Sequence, residues 1–197
     1  MSDPETLAVY GREAKRYRDR FTKSDPDTAL LAFLAALPER PEILDLGCGP
    51  GVSAGHMAAR GARVTATDAV PEMVALAAAI PGVDARTATF EDLDADAAYD
   101  GVWANFSLLH APRAAFPGHL DRIHRALRPG GTLHLGMKTG TGEARDRLGR
   151  NYVFYTPGEL QGLLETARFQ VVASREGEAA GLAGAAEPFV LLRATRV

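Results

Sequence analysis

The chain has 197 residues, of which 46% are apolar and 24% charged, and its formal net charge is −3. That length suits one domain burying roughly 70% of the surface its unfolded form exposes, and the mild acidity disfavours a nucleic-acid partner, which calls for a basic face. A single cysteine, Cys48, excludes an internal disulfide; no apolar run reaches the ~18 residues of a membrane span, and the acid- and base-rich start is unlike a signal peptide, so a cytoplasmic protein is expected.

Ser2-Asp-Pro-Glu5 resembles a capping box, and Leu7, Tyr10, Ala14, Tyr17 and Phe21 follow at spacings of 3, 4, 3 and 4, which predicts an amphipathic helix over 3–21. Tyr10 and Tyr17 on its apolar stripe serve either core packing or a ligand. Asp25 and Pro26 read as N-cap and first turn of a second helix, carried by Leu30, Leu31, Phe33, Leu34 and Leu37 and ended by Pro38.

The stretch 43–51, ILDLGCGPG, then reads as a buried strand turning sharply into a helix. Gly47, Gly49 and Gly51 let the backbone take positive φ and lie against a ligand, and unpaired N–H groups at the start of the helix favour a carboxylate or phosphate. Residues 49–54 also fit the dinucleotide pattern G-x-G-x-x-G/A. Asp45, however, puts a carboxylate where a pyrophosphate is repelled and an ammonium attracted.

ILDLGCGPG resembles motif I of the class I methyltransferases that use S-adenosylmethionine (SAM), and the likeness runs over nearly the whole chain. It implies a three-layer, Rossmann-like α/β fold of seven strands, mostly parallel with the last antiparallel, preceded by two helices. In that reading 1–197 is one methyltransferase domain, with 1–38 a helical lid and 41–197 the catalytic core. The methionyl part of the cofactor then lies over Asp45, Gly47, Cys48, Gly49 and Gly51, and Tyr17 reaches it from the lid. Cys48 is either packing or a reactive thiol, with no Lys, Arg or His adjoining it in sequence.

A second strand, 62–67, stops at Asp68, seventeen residues beyond Gly51. A carboxylate there accepts from both ribose hydroxyls in dinucleotide folds and in this family, though Asp68 also reads as an N-cap for a helix over 71–79. Ala69 adjoins it, and Met73 packs either near the adenosine or in the core. After a third strand, 83–88, Thr89-Phe90-Glu91-Asp92 falls where the family binds adenine. Many members carry an acid at the position of Thr89, so Glu91 or Asp92 is expected to substitute; Phe90 offers its ring or its backbone N–H.

The fourth strand, 99–105, ends at Asn105, and 106–112 forms the loop at its ligand-facing end. The Asn/Asp-Pro-Pro-Tyr/Phe run of methyltransferases acting on base amines is replaced here by Asn105-Phe106-Ser107-Leu108, which again disfavours nucleic acid. His110 is the histidine best placed for proton transfer, with a structural role as the alternative; His56, His119 and His124 fall on helices and His134 in the fifth strand. Phe116, Leu120, Ile123 and Leu127 give a helix ending at Arg128-Pro-Gly-Gly131, a turn similar to the family's, before the fifth strand at 132–137.

The connection 138–155 holds Lys138, Arg145, Arg147 and Arg150 against Glu143 and Asp146, and is either a substrate loop or an ordinary solvated one. Its basic excess suggests an acceptor bearing a carboxylate or phosphate, with Tyr10, Ser107, His110, Arg150 and Tyr152 around the transferred methyl. Thr156-Pro-Gly-Glu159 is a capping box for the next helix, followed by a strand at 169–174, a Gly/Ala-rich turn at 176–187 and a final strand at 188–195 that pairs antiparallel for want of a helical crossover. The reading is a metal-independent SAM-dependent methyltransferase acting on a small molecule. The alternatives are a SAM-binding protein without turnover and an NAD-dependent reductase.

Overall fold

The computed structural model describes residues 3–22 and 25–197. Helix α1 (Pro4–Phe21) is capped by Asp3, whose carboxylate accepts from the Thr6 N–H at 2.9 Å; Ser2 of the expected capping box lies outside the described residues. Helix α2 (Thr28–Leu34) begins at Asp27 rather than Asp25, because Asp27 is the acid that reaches a free amide, that of Leu30 at 2.8 Å. It ends at Leu34 instead of Pro38, since Ala36 and Leu37 already donate to carbonyls three residues back.

Then follow β1 (Glu42–Leu46), α3 (Val52–Ala58), β2 (Arg63–Asp68), α4 (Pro71–Ala78), β3 (Val83–Thr87), β4 (Tyr99–Asn105), α5 (Phe116–Ala126) and β5 (Leu127–Lys138). The chain closes with a hairpin of β6 (Glu143–Arg145) and β7 (Asn151–Val153), then α6 (Pro157–Thr166), β8 (Phe169–Ala180) and β9 (Ala186–Arg196). Seven strands form one sheet in the order β3-β2-β1-β4-β5-β9-β8. The pairs among β1 to β5 are parallel, and β9 is antiparallel to both neighbours, as the missing crossover requires. Strand order reverses between β1 and β4, and such a switch point opens a crevice at the strands' carboxyl ends.

Alternation along the strands builds the three layers. Leu44, Leu46, Val102, Ala104, Leu133 and Leu135 pack on one face with Phe116, Leu120, Leu160 and Leu164 of α5 and α6. Ile43, Val64, Ala66 and Trp103 pack on the other with Leu30, Phe33, Ala54 and Met57 of α2 and α3. Each of the larger side chains stabilises the fold by about 1.5–3 kcal/mol relative to exposure.

Three local expectations are corrected. The 138–155 connection contains the β6–β7 hairpin, where Arg145 pairs with Asn151; strands of three residues show no readable alternation. The stretch 176–187 is mostly strand, with Gly177 opposite Phe189 and Ala180 opposite Ala186, so the turn shrinks to 181–185. The Arg128-Pro-Gly-Gly131 turn lies inside β5, because Leu127 already pairs with Tyr99 ahead of a register shift. Among the described residues no helix is long and apolar enough to cross a membrane.

Candidate active site

A cavity of about 450 Å³ opens at the carboxyl ends of β1, β2 and β4, within the range of small-molecule sites. One side is the β1–α3 turn. Gly47, Gly49 and Gly51 all adopt positive φ, of 75°, 54° and 81°, but their missing side chains do different things. A Cβ on Gly47 would come within 2.3 Å of the Ser107 Cβ, and one on Gly51 within 2.8 Å of the Ala77 Cβ, so these two glycines serve packing. A Cβ on Gly49 would meet nothing closer than a Tyr17 ring carbon at 3.9 Å. Gly49 therefore borders open space, whereas Gly51, expected against the cofactor, is turned into the α3–α4 contact and does not line the cavity.

The amides of the turn itself, ahead of the first residues of α3, are engaged. Gly47 and Cys48 donate to the Thr67 carbonyl at 2.8 and 2.9 Å, Gly51 donates to Cys48 at 3.1 Å, and Gly49 donates to the Asp68 carboxylate at 2.8 Å. Asp68 also accepts from the Val70 N–H at 2.9 Å, and α4 has Val70 as its N-cap with no side-chain cap, so Asp68 is not a helix cap. Burial pushes the Asp68 carboxyl above its ordinary range against those amides. Cys48 is buried, its thiol pushed up by burial and the nearby carboxylates, and its Sγ donates to the Gly49 carbonyl, which favours packing over reactivity.

Asp45 is 2% exposed, and its Oδ2 has no hydrogen-bond partner. Burial, then the Asp68 charge, raise its pKa to about 8, opposed by the Ala54 N–H. A buried carboxylate without a counter-charge is costly, and one that lines a cavity is matched by a cation entering it.

The remaining cofactor residues divide. Tyr17, Ala69, Met73, Thr89, Phe90 and Asn105 line the cavity, and Met73 also packs with Ala14 and Val70, as its core reading expects. Glu91 does not line it and faces His119, with a 3.8 Å approach. Asp92 accepts from both the N–H and hydroxyl of Thr89, capping a short turn, and like Glu91 it stands outside the cavity lining.

His110 lies in a 3-10 turn, Leu108–His110, and touches the cavity. Its Nδ1 is 2.6 Å from the Asn151 carbonyl and so carries the hydrogen; Nε2 accepts from the Tyr10 hydroxyl at 2.8 Å. Burial drives its pKa down to about 4, keeping the ring neutral. Tyr10 and Ser107 also line the cavity, the Ser107 hydroxyl donating to the Leu46 carbonyl at 2.6 Å.

Arg150 and Tyr152 do not line it. Arg150 is 2% exposed; its Nη2 binds Asp146 at 2.6 Å and its Nη1 donates to the Tyr10 hydroxyl at 3.0 Å, so it acts behind the wall. Tyr152 packs on His110 at 4.7 Å, with the Lys138 ammonium 3.6 Å above its ring. The basic excess of this segment is neutralised from elsewhere, Lys138 by Glu187 and Arg145 by Asp3 and Glu5. The wall residues Arg175, Ala179, Phe189 and Leu191 escaped the sequence reading, the first two because they were placed beside or in a turn, the others because a strand position alone does not reveal a cavity. The period-2 spacing of Arg175, Gly177 and Ala179 was the available signal.

Residues 43–131 match a family model described as a methyltransferase domain. The chain is 32% identical to a ubiquinone biosynthesis O-methyltransferase of Xanthomonas campestris pv. campestris, over 84% of this chain and 80% of that enzyme. It belongs to the SAM-dependent methyltransferases. It is also 39% identical to the trans-aconitate 2-methyltransferase of Streptomyces avermitilis over 56% of its length, although it spans only 44% of that relative. Among solved structures it resembles the 1,6-didemethyltoxoflavin-N1-methyltransferase of Burkholderia thailandensis, bound to its acceptor and S-adenosylhomocysteine (SAH). The TM-score is 0.75 with 28% identity, covering 100% of this chain and 92% of that one. Membership in this methyltransferase family sets aside the NAD-dependent reductase, and the antiparallel β9 agrees with that.

Proposed function

We propose that this methyltransferase acts on a small molecule held in the cavity at the β1–β4 switch point, with the amino-acid end of SAM beside Asp45 and Gly49 and its ribose on Asp68. The observation that carries this reading is the unpartnered, buried oxygen of Asp45, a residue that lines the same cavity as the open-faced Gly49. An ammonium placed there gives the carboxylate its counter-charge and draws its pKa back down. Asp68, fixed by the amides of Gly49 and Val70, keeps lone pairs for two neighbouring hydroxyls. With the Thr89 side chain tied to Asp92, adenine recognition falls to Phe90, by its ring and its N–H.

Bound SAM supplies an electrophilic methyl on a sulfonium, whose in-line displacement needs alignment more than acid–base power. Metal independence belongs to the same proposal, since attack at that carbon needs no Lewis acid. Tyr10 and Tyr17 make α1 a cover over the core, excluding water. His110, its Nε2 lone pair taken by Tyr10, holds that cover in place; it can accept a proton only after the Tyr10 bond breaks. The small acceptor is supported by the size of the cavity and by relatives named for ubiquinone biosynthesis, trans-aconitate and didemethyltoxoflavin. A single Lys or Arg lines the cavity among the described residues, which ill suits nucleic acid, and the lone buried thiol suits the cytoplasm. Calorimetry with SAM and with NADH, followed by a screen of a metabolite extract and total protein with methyl-labelled SAM, tests the reading. SAM should bind and NADH should not, with label in the small-molecule fraction; label confined to protein, or equal binding of both cofactors, would sink it.

A further inference from the structure

Away from the β1 turn, the cavity has a second wall built from β4, β8 and β9. Phe106, directly after β4, adopts a φ of 57°, an unfavourable region for a residue with a Cβ, and is held there by its N–H donating to the Gly136 carbonyl at 2.9 Å. Its ring stands perpendicular to that of Phe189, at 90° with centroids 5.7 Å apart. The Phe189 ring fits only because its pairing partner is Gly177, where a Cβ would come within 2.8 Å of the Phe189 Cζ. A strained backbone and a glycine inside a strand thus converge on one result, an aromatic corner facing the cavity.

Arg175 lies two residues before Gly177, on the same face of β8, and is the one Lys or Arg lining the cavity among the described residues. One of its N–H groups is tethered to the Thr28 hydroxyl at 3.2 Å, and Asp27 beside Thr28 is engaged in capping Leu30. Arg175 as a whole is an exposed residue.

We propose that this wall is the acceptor subsite and that it takes a flat aromatic ring bearing a carboxylate, the ring in the Phe106–Phe189 corner and the carboxylate on Arg175. Perpendicular rings offer one face and one edge, which suits a third flat ring better than a branched aliphatic chain. A guanidinium binds a carboxylate through paired hydrogen bonds, and Arg150, the arginine singled out in the sequence, is closed off by Asp146. The inference rests on the placement of SAM at Asp45 and Asp68, which leaves this wall for the acceptor.

The test is calorimetric titration of the SAH-saturated full chain with 4-hydroxybenzoate, 3,4-dihydroxybenzoate and indole-3-carboxylate, with the primary amide of each, and with cyclohexanecarboxylate. At least one flat acid should bind ~10-fold more tightly than both its amide and the saturated ring. Arg175→Gln should abolish the preference for acid over amide, and Phe106→Leu should weaken acid and amide alike, while both variants bind SAH as the wild type does. If no flat acid binds, or if Arg175→Gln keeps the acid preference, the subsite is overturned while SAH binding still upholds the cofactor site. Absence of SAH binding overturns both readings. Gly177→Ala, which displaces the Phe189 ring from a strand that remains paired, provides a second variant should Phe106→Leu fold poorly, with the same loss expected for acid and amide.

Discussion

Replacing Asp45 with asparagine should make the ligand-free protein more stable while weakening its hold on the cofactor, and pH should govern the first effect. Burial, reinforced by the Asp68 charge, lifts the Asp45 carboxyl from 3.8 to about 8. Between those values the folded chain keeps a proton that the unfolded chain has released, so this group's contribution to stability falls as pH rises from about 4 to about 8. About four units at 1.36 kcal/mol each set a ceiling of about 5 kcal/mol. Water in the cavity and small adjustments of the turn screen the charge, and about 2 kcal/mol is the working figure. Asparagine has no proton to take up, so its advantage should be near zero at about pH 4 and reach about 2 kcal/mol at about pH 8, or ~4–8 °C in Tm for a chain of this size. The same change removes the counter-charge for an ammonium, so SAH should bind at least ~10-fold more weakly, about 1.4 kcal/mol. Thermal unfolding of both proteins across this range, with and without SAH, reads both effects; titrating groups remote from Asp45 cancel in the difference, and relief of the coupled Asp68 adds in the same direction. A Tm difference independent of pH, or an Asp45→Asn protein that binds SAH normally, would refute the reasoning.

Asp68→Asn should lower SAH affinity by at least ~10-fold in calorimetry, with the fold retained because a carboxamide oxygen still accepts one of the two amides; unchanged affinity would remove the ribose assignment. Gly49→Ala and Gly51→Ala should separate ligand space from packing. The first should cost mainly SAH affinity. The second should cost ~1–3 kcal/mol in urea unfolding, since its Cβ would sit 2.9 Å from the Ala77 Cα, and equal stability of the two variants would contradict this. Arg150→Ala strands the half-enclosed Asp146 and removes one of the two hydrogen bonds of the Tyr10 hydroxyl, so it should destabilise the chain by ~3 kcal/mol and raise hydrogen exchange in α1. An unchanged Tm with a raised acceptor KM would instead return Arg150 to the substrate.

The sheet was legible because each apolar run ends in a turn residue, and because strands without an intervening helix have only one way to pair. The cofactor end was legible for a local reason: Asp45, Gly49 and Asp68 are placed by the ends of adjacent strands, so short spacings carry their geometry. Gly51 misled because positive φ and open space are separate demands, and sequence reveals only that a glycine is present. Arg150 misled because charge was balanced within one segment, whereas the acids that neutralise its neighbours come from α1 and β9. Arg175 stayed hidden because the small residues beside it, Gly177 and Ala179, look like a turn, whereas both lie in β8 and Gly177 makes room for the Phe189 ring of the neighbouring strand.

The attachment of α1 to the hairpin has a consequence for how the molecule comes into being. Thr6 accepts from Asn151 across 145 positions, Tyr10 from Arg150 across 140, and Asp3 from Arg145 across 142. At ~5–20 residues per second, α1 waits about seven to thirty seconds for these partners to be synthesised. Until then only a small cluster with Val70 and Met73 shelters its apolar stripe. The strands β1, β2 and β4 are thus complete before α1 can be fastened across them, because each of these three ties needs a residue from 145–151.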